Sequence, residues 1–154
     1  MINSKQKLLI EQTDRKLKVF RGLEKISMPP LGWVHTIRSA LKMSLRQLGN
    51  KMDMSPQSVK EIETREANGS ITLKSLSETA RAMDMKLVYG FVAEHQSIEK
   101  MIEDRAYELA KEMVLRTHKT MQLESQGTSS AHIQKAVRER AEEIKHNMPK
   151  YLWD

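Results

Sequence analysis

Residues 44–63 of the chain read SLRQLGNKMDMSPQSVKEIE. A serine followed three residues later by a glutamine, as at Ser44 and Gln47, is a capping box, which satisfies the open amides at a helix start. Leu48 and Met52 lie four residues apart and therefore share one face of the helix. These features predict a helix over residues 44–52 with an apolar inner side.

A second helix is predicted directly after the first. Ser55 is a favoured N-cap residue, and Pro56 stands at the first helical position, where a missing amide hydrogen costs nothing. Val59 and Ile62 predict the inner face of this helix. Gly49 has no side chain to obstruct it, so the two helices can cross at short distance. The pattern is typical of a helix-turn-helix whose second helix enters the major groove of DNA.

The polar side chains left outside have the chemistry of base and phosphate recognition. Gln57 offers a donor and an acceptor, as adenine recognition needs, and Glu61 can accept from cytosine N4. Phosphates can be bound by the amides at the start of the first helix and by Arg46, Lys60 and Arg65. An ordinary helical hairpin whose polar face contacts only water is the alternative interpretation. The predicted DNA-contacting residues are Ser44, Arg46, Gln47, Ser55, Pro56, Gln57, Ser58, Lys60, Glu61, Thr64 and Arg65.

The rest of the chain is predicted to be helical apart from one segment. Apolar spacing predicts helices over residues 4–26, 33–41, 70–83 and 98–122, and another from Ser129 or Ser130 to residue 148. Residues 86–92, KLVYGFV, are the β-branched and aromatic run that predicts one short β-strand. The expected fold is all-α, with an N-terminal helical arm (1–31), a helix-turn-helix domain (32–92) and a C-terminal helical extension (93–154).

Composition and charge narrow the function classes. The chain has 154 residues, of which 30% are charged, and no apolar run approaches the ~20 residues of a membrane helix. Its start lacks the apolar core of a secretory signal, so a cytoplasmic location is expected. The absence of cysteine excludes a disulfide framework, a zinc finger and a thiol nucleophile. None of the five histidines forms an i, i+4 pair, and no phosphate loop or nucleophile–base arrangement occurs. We therefore expect no metal, no cofactor and no catalysis.

The positive charge is concentrated in the first two thirds of the chain. The total is +6, with 26 basic and 20 acidic residues. Residues 1–31 carry 7 basic and 3 acidic residues, residues 32–92 carry 9 and 6, and residues 93–154 carry 10 and 11. A basic front favours a polyanionic partner, whereas the nearly neutral tail is expected to contact something else.

Residues 34–84 resemble the five-helix DNA-binding domain of phage repressors and related bacterial regulators. In that family a capped helix with an L-A pair and a turn hydrophobe precede the pattern S-x-x-[ST]-[IV]-x-x-[IWL]-E. The matching residues here are Leu48-Gly49, Met54, Ser55, Ser58, Val59, Ile62 and Glu63. The resemblance implies that Pro56, Gln57 and Glu61 occupy base-reading positions, although Pro56 has no side-chain donor.

A wider resemblance covers nearly the whole chain. Its motifs are Gly32-Trp33, Ile37-Arg38, EANGSITL (66–73), LVY (87–89), HKTMQLE (118–124) and LWD (152–154), which are similar to the family called mobile mystery protein A. The resemblance implies a toxin–antitoxin-like pair on a mobile element, with this chain as the antitoxin and autorepressor of a Fic-domain protein encoded by the adjacent gene. The Fic-inhibiting motif [S/T]-x-x-x-E-[G/N] does not occur in this sequence, because Asn68 stands where its glutamate would be.

Two hypotheses about function follow. The first is a transcription regulator that binds an inverted repeat in double-stranded DNA as a homodimer, with residues 87–92 as one candidate dimer contact and the helices of residues 98–148 as the other. The second is a protein-interaction module that neutralises or chaperones its partner and has only incidental DNA affinity. We expect residues 94–154 to contact the Fic-domain partner while residues 32–92 bind DNA, and the N-terminal arm is a candidate to pack on the tail. The alternative is that residues 94–154 only dimerise.

Overall fold

The computed structural model describes residues 3–123 and 130–154. Helices are the regular secondary structure of those residues, so the described fold is all-α, as the sequence predicts. Two 3₁₀ helices accompany the α-helices, at Lys18–Lys25 and Lys150–Trp153. The predicted break at residues 127–129 lies outside the described residues. The α-helices are α1 (Ser4–Leu17), α2 (Trp33–Ala40), α3 (Leu45–Lys51), α4 (Pro56–Asn68), α5 (Leu73–Ala82), α6 (Ile98–Leu123) and α7 (Ser130–Asn147).

The predicted β-strand at residues 86–92 is wrong. These residues belong to neither a helix nor a strand, and their backbone groups form no hydrogen bond with any other described residue. The segment has a sequence typical of a strand, but a strand needs a second strand to pair with, and the described residues supply none. Residues 86–92 therefore remain an unpaired segment.

The chain divides into two compact units. One unit consists of Met1–Arg21 together with Phe91–Asp154, and the other consists of Gly22–Gly90. We call them the terminal unit and the central unit. The first 21 residues thus group with the C-terminal helices, whereas the sequence assigned residues 1–31 to a separate arm.

The terminal unit is built around α6 and α7, which pack along one another. A carboxylate of α1 is tied to the start of α6: Asp14 Oδ1 accepts from the backbone N–H of Ile98 at 2.7 Å, and Asp14 Oδ2 accepts from that of Glu99 at 3.2 Å. At the other end of the chain Arg105 donates to the carbonyl of the fully buried Leu152 at 2.6 Å. The buried core consists of Ile102, Ala106, Ala110, Val137, Ile144 and Leu152.

The central unit contains α2 to α5. Its core is small, because the helices have only 7 to 13 residues each. Four buried side chains form its centre, one on each of α2, α3 and α4 and one directly after α5: Val34, Leu48, Val59 and Met83. Half-buried methionines and aliphatic side chains surround them. In the described part of the chain no helix is both long and apolar enough to cross a membrane.

Candidate nucleic-acid interface

The N-termini of α3 and α4 are capped as the sequence predicts. Ser44 Oγ accepts from the backbone N–H of Gln47 at 3.1 Å, and the Gln47 side-chain carbonyl accepts from the backbone N–H of Ser44 at 2.8 Å. Ser55 Oγ accepts from the backbone N–H of Ser58 at 3.1 Å, and Pro56 is the first residue of α4. The capping box and the Ser-Pro helix start are therefore confirmed, and together they fix where each helix begins.

The turn between α3 and α4 leaves no room for a side chain at position 49. A Cβ on Gly49 would lie 2.5 Å from the backbone carbonyl oxygen of Met54, which is closer than real atoms approach. The backbone N–H of Met54 donates to the Gly49 carbonyl at 2.9 Å, and Asp53 adopts a φ of +53°. The prediction that Gly49 permits a close approach is confirmed, although the atom approaching it belongs to the turn rather than to the side of α4.

The buried side of α4 carries two carboxylates that the sequence did not reveal. Val59 is fully buried and Ile62 is half-buried, as predicted, but Glu63 and Glu66 face the same side and are only 3% and 7% exposed. A carboxylate is rarely buried unless it is paired. Both are paired, and both connections run to α2.

Glu63 forms an ion-pair cluster with two residues of α2. Its Oε1 accepts from Arg38 Nε in a short hydrogen bond, and its Oε2 lies 3.1 Å from His35 Nδ1. Arg38 also donates from Nη1 to the backbone carbonyl of Met43 at 2.8 Å, in the segment between α2 and α3. Burial alone raises the pKa of the Glu63 carboxyl, but hydrogen bonds from Arg38 and His35 outweigh it and hold that pKa below its ordinary value. The cluster therefore fixes α4 against α2 through an ionised carboxylate.

Glu66 connects α4 to the first turn of α2. Its Oε1 accepts from the backbone N–H of Val34 at 2.8 Å, so the buried carboxylate satisfies an amide that has no partner within α2. Gly32, which precedes α2, has a φ of +86°, and a Cβ there would lie 2.6 Å from that same oxygen. The glycine is required both for its backbone conformation and for its lack of a side chain.

The predicted DNA-contacting residues lie at the start of α3 and on the outer side of α4, where they face solvent. Ten of the eleven are exposed, and only Ser58 is half-buried. Ser58 Oγ lies 3.0 Å from Ser55 Oγ, and the Thr64 hydroxyl donates to the Lys60 carbonyl at 3.0 Å, so with the Ser44 cap all four of these hydroxyls are already in use. The side chains left projecting from α4 at helical spacing are Gln57, Lys60, Glu61 and Arg65.

The basic residues of this surface are not neutralised by the protein itself. In the part of the chain that the structure describes, no acidic side chain pairs with Arg46, Lys60 or Arg65. By contrast, four basic side chains of α6 and α7 in the described part of the terminal unit are paired with acidic side chains of the same two helices. The exposed face of α4 and the start of α3 therefore retain positive charge for an external anion.

Within residues 3–123 and 130–154, no three histidine, aspartate or glutamate residues converge as metal ligands would.

Comparison of the chain with protein-family models, with curated proteins and with solved structures gives no significant match.

Proposed function

We propose that the chain is a sequence-specific DNA-binding transcription regulator and that α4 is its recognition helix. The observation that carries the proposal is the two-sided character of α4. Val59, Glu63 and Glu66 anchor one side, while Gln57, Lys60, Glu61 and Arg65 are exposed on the other. A major groove about 12 Å wide admits one α-helix, so a polar helix face presented by a rigid hairpin has the dimensions that groove readout needs.

The exposed residues divide into two roles. Gln57 lies in the first turn of α4, where the amide of its side chain can donate to N7 and accept from the N6 amino group on the major-groove edge of an adenine, and Glu61 lies one turn further along. Arg46, Lys60 and Arg65 carry the charge that binds phosphates. Base contacts give sequence preference, whereas phosphate contacts give affinity for any duplex. The two groups of side chains are therefore separable by mutation.

A titration at fixed salt tests the proposal against incidental binding. The full chain is titrated at ~150 mM salt into a labelled duplex taken from upstream of its own gene and into an unrelated duplex of equal length, because non-specific affinity falls steeply with salt. We expect the upstream duplex to bind at least ~10³-fold more tightly. Arg65→Ala should weaken both complexes, and Arg138→Ala, an exposed arginine of α7, serves as the matched control. Equal affinity for the two duplexes would contradict the proposal.

A second candidate function concerns the terminal unit. This unit has a core of its own and a groove of about 970 Å³ between α6 and α7, with an apolar floor formed by Met113, Val114, Ile133 and Ala136. Together with the resemblance to mobile mystery protein A, the groove supports the proposal that the terminal unit binds the Fic-domain product of the adjacent gene. DNA binding by the central unit would then make this chain the antitoxin and autorepressor of the pair.

Co-purification with the adjacent gene product tests this second proposal. Met113→Glu and Ala136→Glu place charge in the groove, and Leu115→Glu, at an exposed leucine of α6 outside the groove lining, is the control. We expect the groove variants to lose the partner and the control to retain it. Retention by all three would remove the groove from the contact, and no recovery with the unaltered chain would leave a regulator without this partner.

A further inference from the structure

The terminal unit contains a cavity where the first helices of the chain meet the segment that leads into α6. The cavity measures about 410 Å³. One side is formed by the end of α1 and the 3₁₀ helix that continues it, and the other by residues 92–97. All the residues that line it belong to the terminal unit, so the cavity shares no residue with the proposed DNA face.

Three basic side chains line this cavity at intervals of three residues: Arg15, Lys18 and Arg21. In a continuous α-helix Arg21 would be turned away from Arg15 by about 120°, because six residues make one and two-thirds turns. The chain instead changes to a 3₁₀ helix at Lys18, and in a 3₁₀ helix residues three apart lie directly above one another. The change of helix type therefore brings the three charges to one side.

The protein itself does not neutralise these three charges. Among the residues that the structure describes, Arg15, Lys18 and Arg21 form neither an ion pair nor a side-chain hydrogen bond. Of the residues that line the cavity only Asp14 is acidic, and both of its carboxylate oxygens already accept from backbone amides at the start of α6. The cavity thus has an excess of positive charge.

Two neutral side chains add hydrogen-bond donors opposite the cations. Ser97 Oγ accepts from the backbone N–H of Lys100 at 3.0 Å, which leaves the hydroxyl hydrogen to donate. The exposed side-chain amide of Gln96 forms no hydrogen bond with any described residue. The two sides of the cavity together offer cations and donors, so the occupant that suits it is an anion with several acceptor oxygens.

The charge and the size of the cavity favour a phosphate group over a carboxylate. A phosphate monoester carries about −1.5 to −2 charges and three strong acceptor oxygens, and a guanidinium binds such a group through two parallel hydrogen bonds. The lining also includes three apolar side chains, Leu17, Val92 and Ala93, which can contact a short carbon chain. The volume lies near the lower end of the range of about 300–1,000 Å³ for small-molecule pockets.

We propose that this cavity binds a small phosphorylated molecule. Arg15, Lys18 and Arg21 hold its phosphate group, and Gln96 and Ser97 donate to the oxygens on the other side. A phosphate bound there connects the end of α1 to the segment before α6 and stabilises the terminal unit. The inference does not rest on DNA binding, because no residue of α3 or α4 lines the cavity.

Calorimetric titration of the full chain tests the site. Inorganic phosphate, pyrophosphate and acetate are titrated at ~150 mM NaCl, where exposed single charges are largely screened. We expect one pyrophosphate to bind per chain, phosphate to bind more weakly and acetate not to bind. Lys18→Gln/Arg21→Gln should raise the Kd for pyrophosphate at least ~10-fold, since it removes two charge-assisted contacts. Lys5→Gln/Lys16→Gln removes the same charge from exposed lysines of α1 outside the cavity and is the matched control.

Two further measurements separate this site from the proposed DNA face. Lys60→Gln/Arg65→Gln should retain pyrophosphate binding, and Lys18→Gln/Arg21→Gln should retain affinity for the upstream duplex. In amide NMR spectra of the unaltered chain, pyrophosphate should shift signals of residues 15–21 and 92–97. Circular dichroism shows whether each variant is folded.

Three results would overturn the inference. They are the absence of saturable pyrophosphate binding, an equal loss of binding in the cavity variant and its matched control, and a cavity variant that loses affinity for the duplex while its pyrophosphate binding is unchanged. The last result would assign these cations to DNA instead. Failure of the duplex experiment alone would contradict the proposed function and leave the phosphate site standing.

Discussion

Replacing Arg38 by methionine should destabilise the central unit strongly, because it leaves the Glu63 carboxylate buried without its principal partner. The Glu63 side chain is 3% exposed and that of Arg38 is 12% exposed. Removing one partner of a buried ion pair costs about 3–5 kcal/mol, and the lost bond from Arg38 to the Met43 carbonyl adds about 1 kcal/mol. Because His35 still contacts Glu63 and methionine preserves much of the packing, we expect a loss of about 3 kcal/mol at pH 7.

The loss should shrink at acidic pH, and the sign follows from the pKa of Glu63. In the unaltered protein that pKa lies below its ordinary value of 4.5, so the stabilisation is complete above pH 4.5 and is lost as the pH falls through the folded-state pKa. Without Arg38, burial dominates and the pKa of the carboxyl rises. The variant then loses stability above the unfolded-state pKa, where the buried carboxyl is driven to ionise, and regains it below that pKa. The difference in the free energy of unfolding between the two proteins therefore narrows as the pH falls towards 4.

Urea unfolding measures both effects. In a Trp153→Phe background, Trp33 reports on the central unit, and a loss of about 3 kcal/mol corresponds to a midpoint shift of about 2 M for an m-value of about 1.5 kcal/mol/M.

The double variant Arg38→Met/Glu63→Leu should return to within about 1 kcal/mol of the starting protein, because no charge is left buried. Lys100→Met, which breaks an exposed pair with Asp104, is the control and should shift nothing measurable. A loss below about 1 kcal/mol for Arg38→Met, or one that is equal at pH 7 and pH 4, would refute the proposed role of the cluster.

Three further changes should lower the free energy of unfolding in urea, which is followed by Trp33 for the central unit and, in a Trp33→Phe background, by Trp153 for the terminal unit. Gly32→Ala should cost about 1–3 kcal/mol because of the positive φ and the contact with the Glu66 carboxylate, whereas Gly22→Ala, where a Cβ meets nothing within 4 Å, should cost little. Asp14→Ala should cost about 1–2 kcal/mol, since it leaves two amides at the start of α6 without their acceptor. Leu152→Ala should cost about 2–5 kcal/mol, because this leucine is fully buried in the terminal unit.

The parts of the fold that could be predicted are those set by neighbouring residues. A cap depends on residues three apart, so Ser44 with Gln47 and Ser55 with Ser58 gave the starts of α3 and α4 directly. The exposed face of α4 follows in the same way from its helical period. Residues 86–92 have a local preference for a strand as well, but a strand is completed only by another segment, which no local pattern can supply.

The contacts of these carboxylates could not be predicted in the same way, because their partners are distant in sequence. Glu63 is 25 residues from Arg38 and 28 from His35, and Asp14 is 84 residues from Ile98. A charged residue is expected at the surface by default. One signal was available: Glu63 lies four residues after Val59 and thus on the apolar side of α4, where a carboxylate needs a partner.

Selection of duplexes from a randomised pool tests most directly whether α4 reads DNA sequence. The unaltered full chain, Gln57→Ala and the matched control Gln134→Ala of α7 are each used to select duplexes at ~150 mM salt, and the affinity for the enriched site is then measured. We expect the unaltered chain and the control to enrich the same inverted repeat. Gln57→Ala should lose preference at one base pair of each half-site and about 1–3 kcal/mol of affinity for the original site. If no sequence is enriched, or if Gln57→Ala selects the same site with the same affinity, α4 is not the recognition helix.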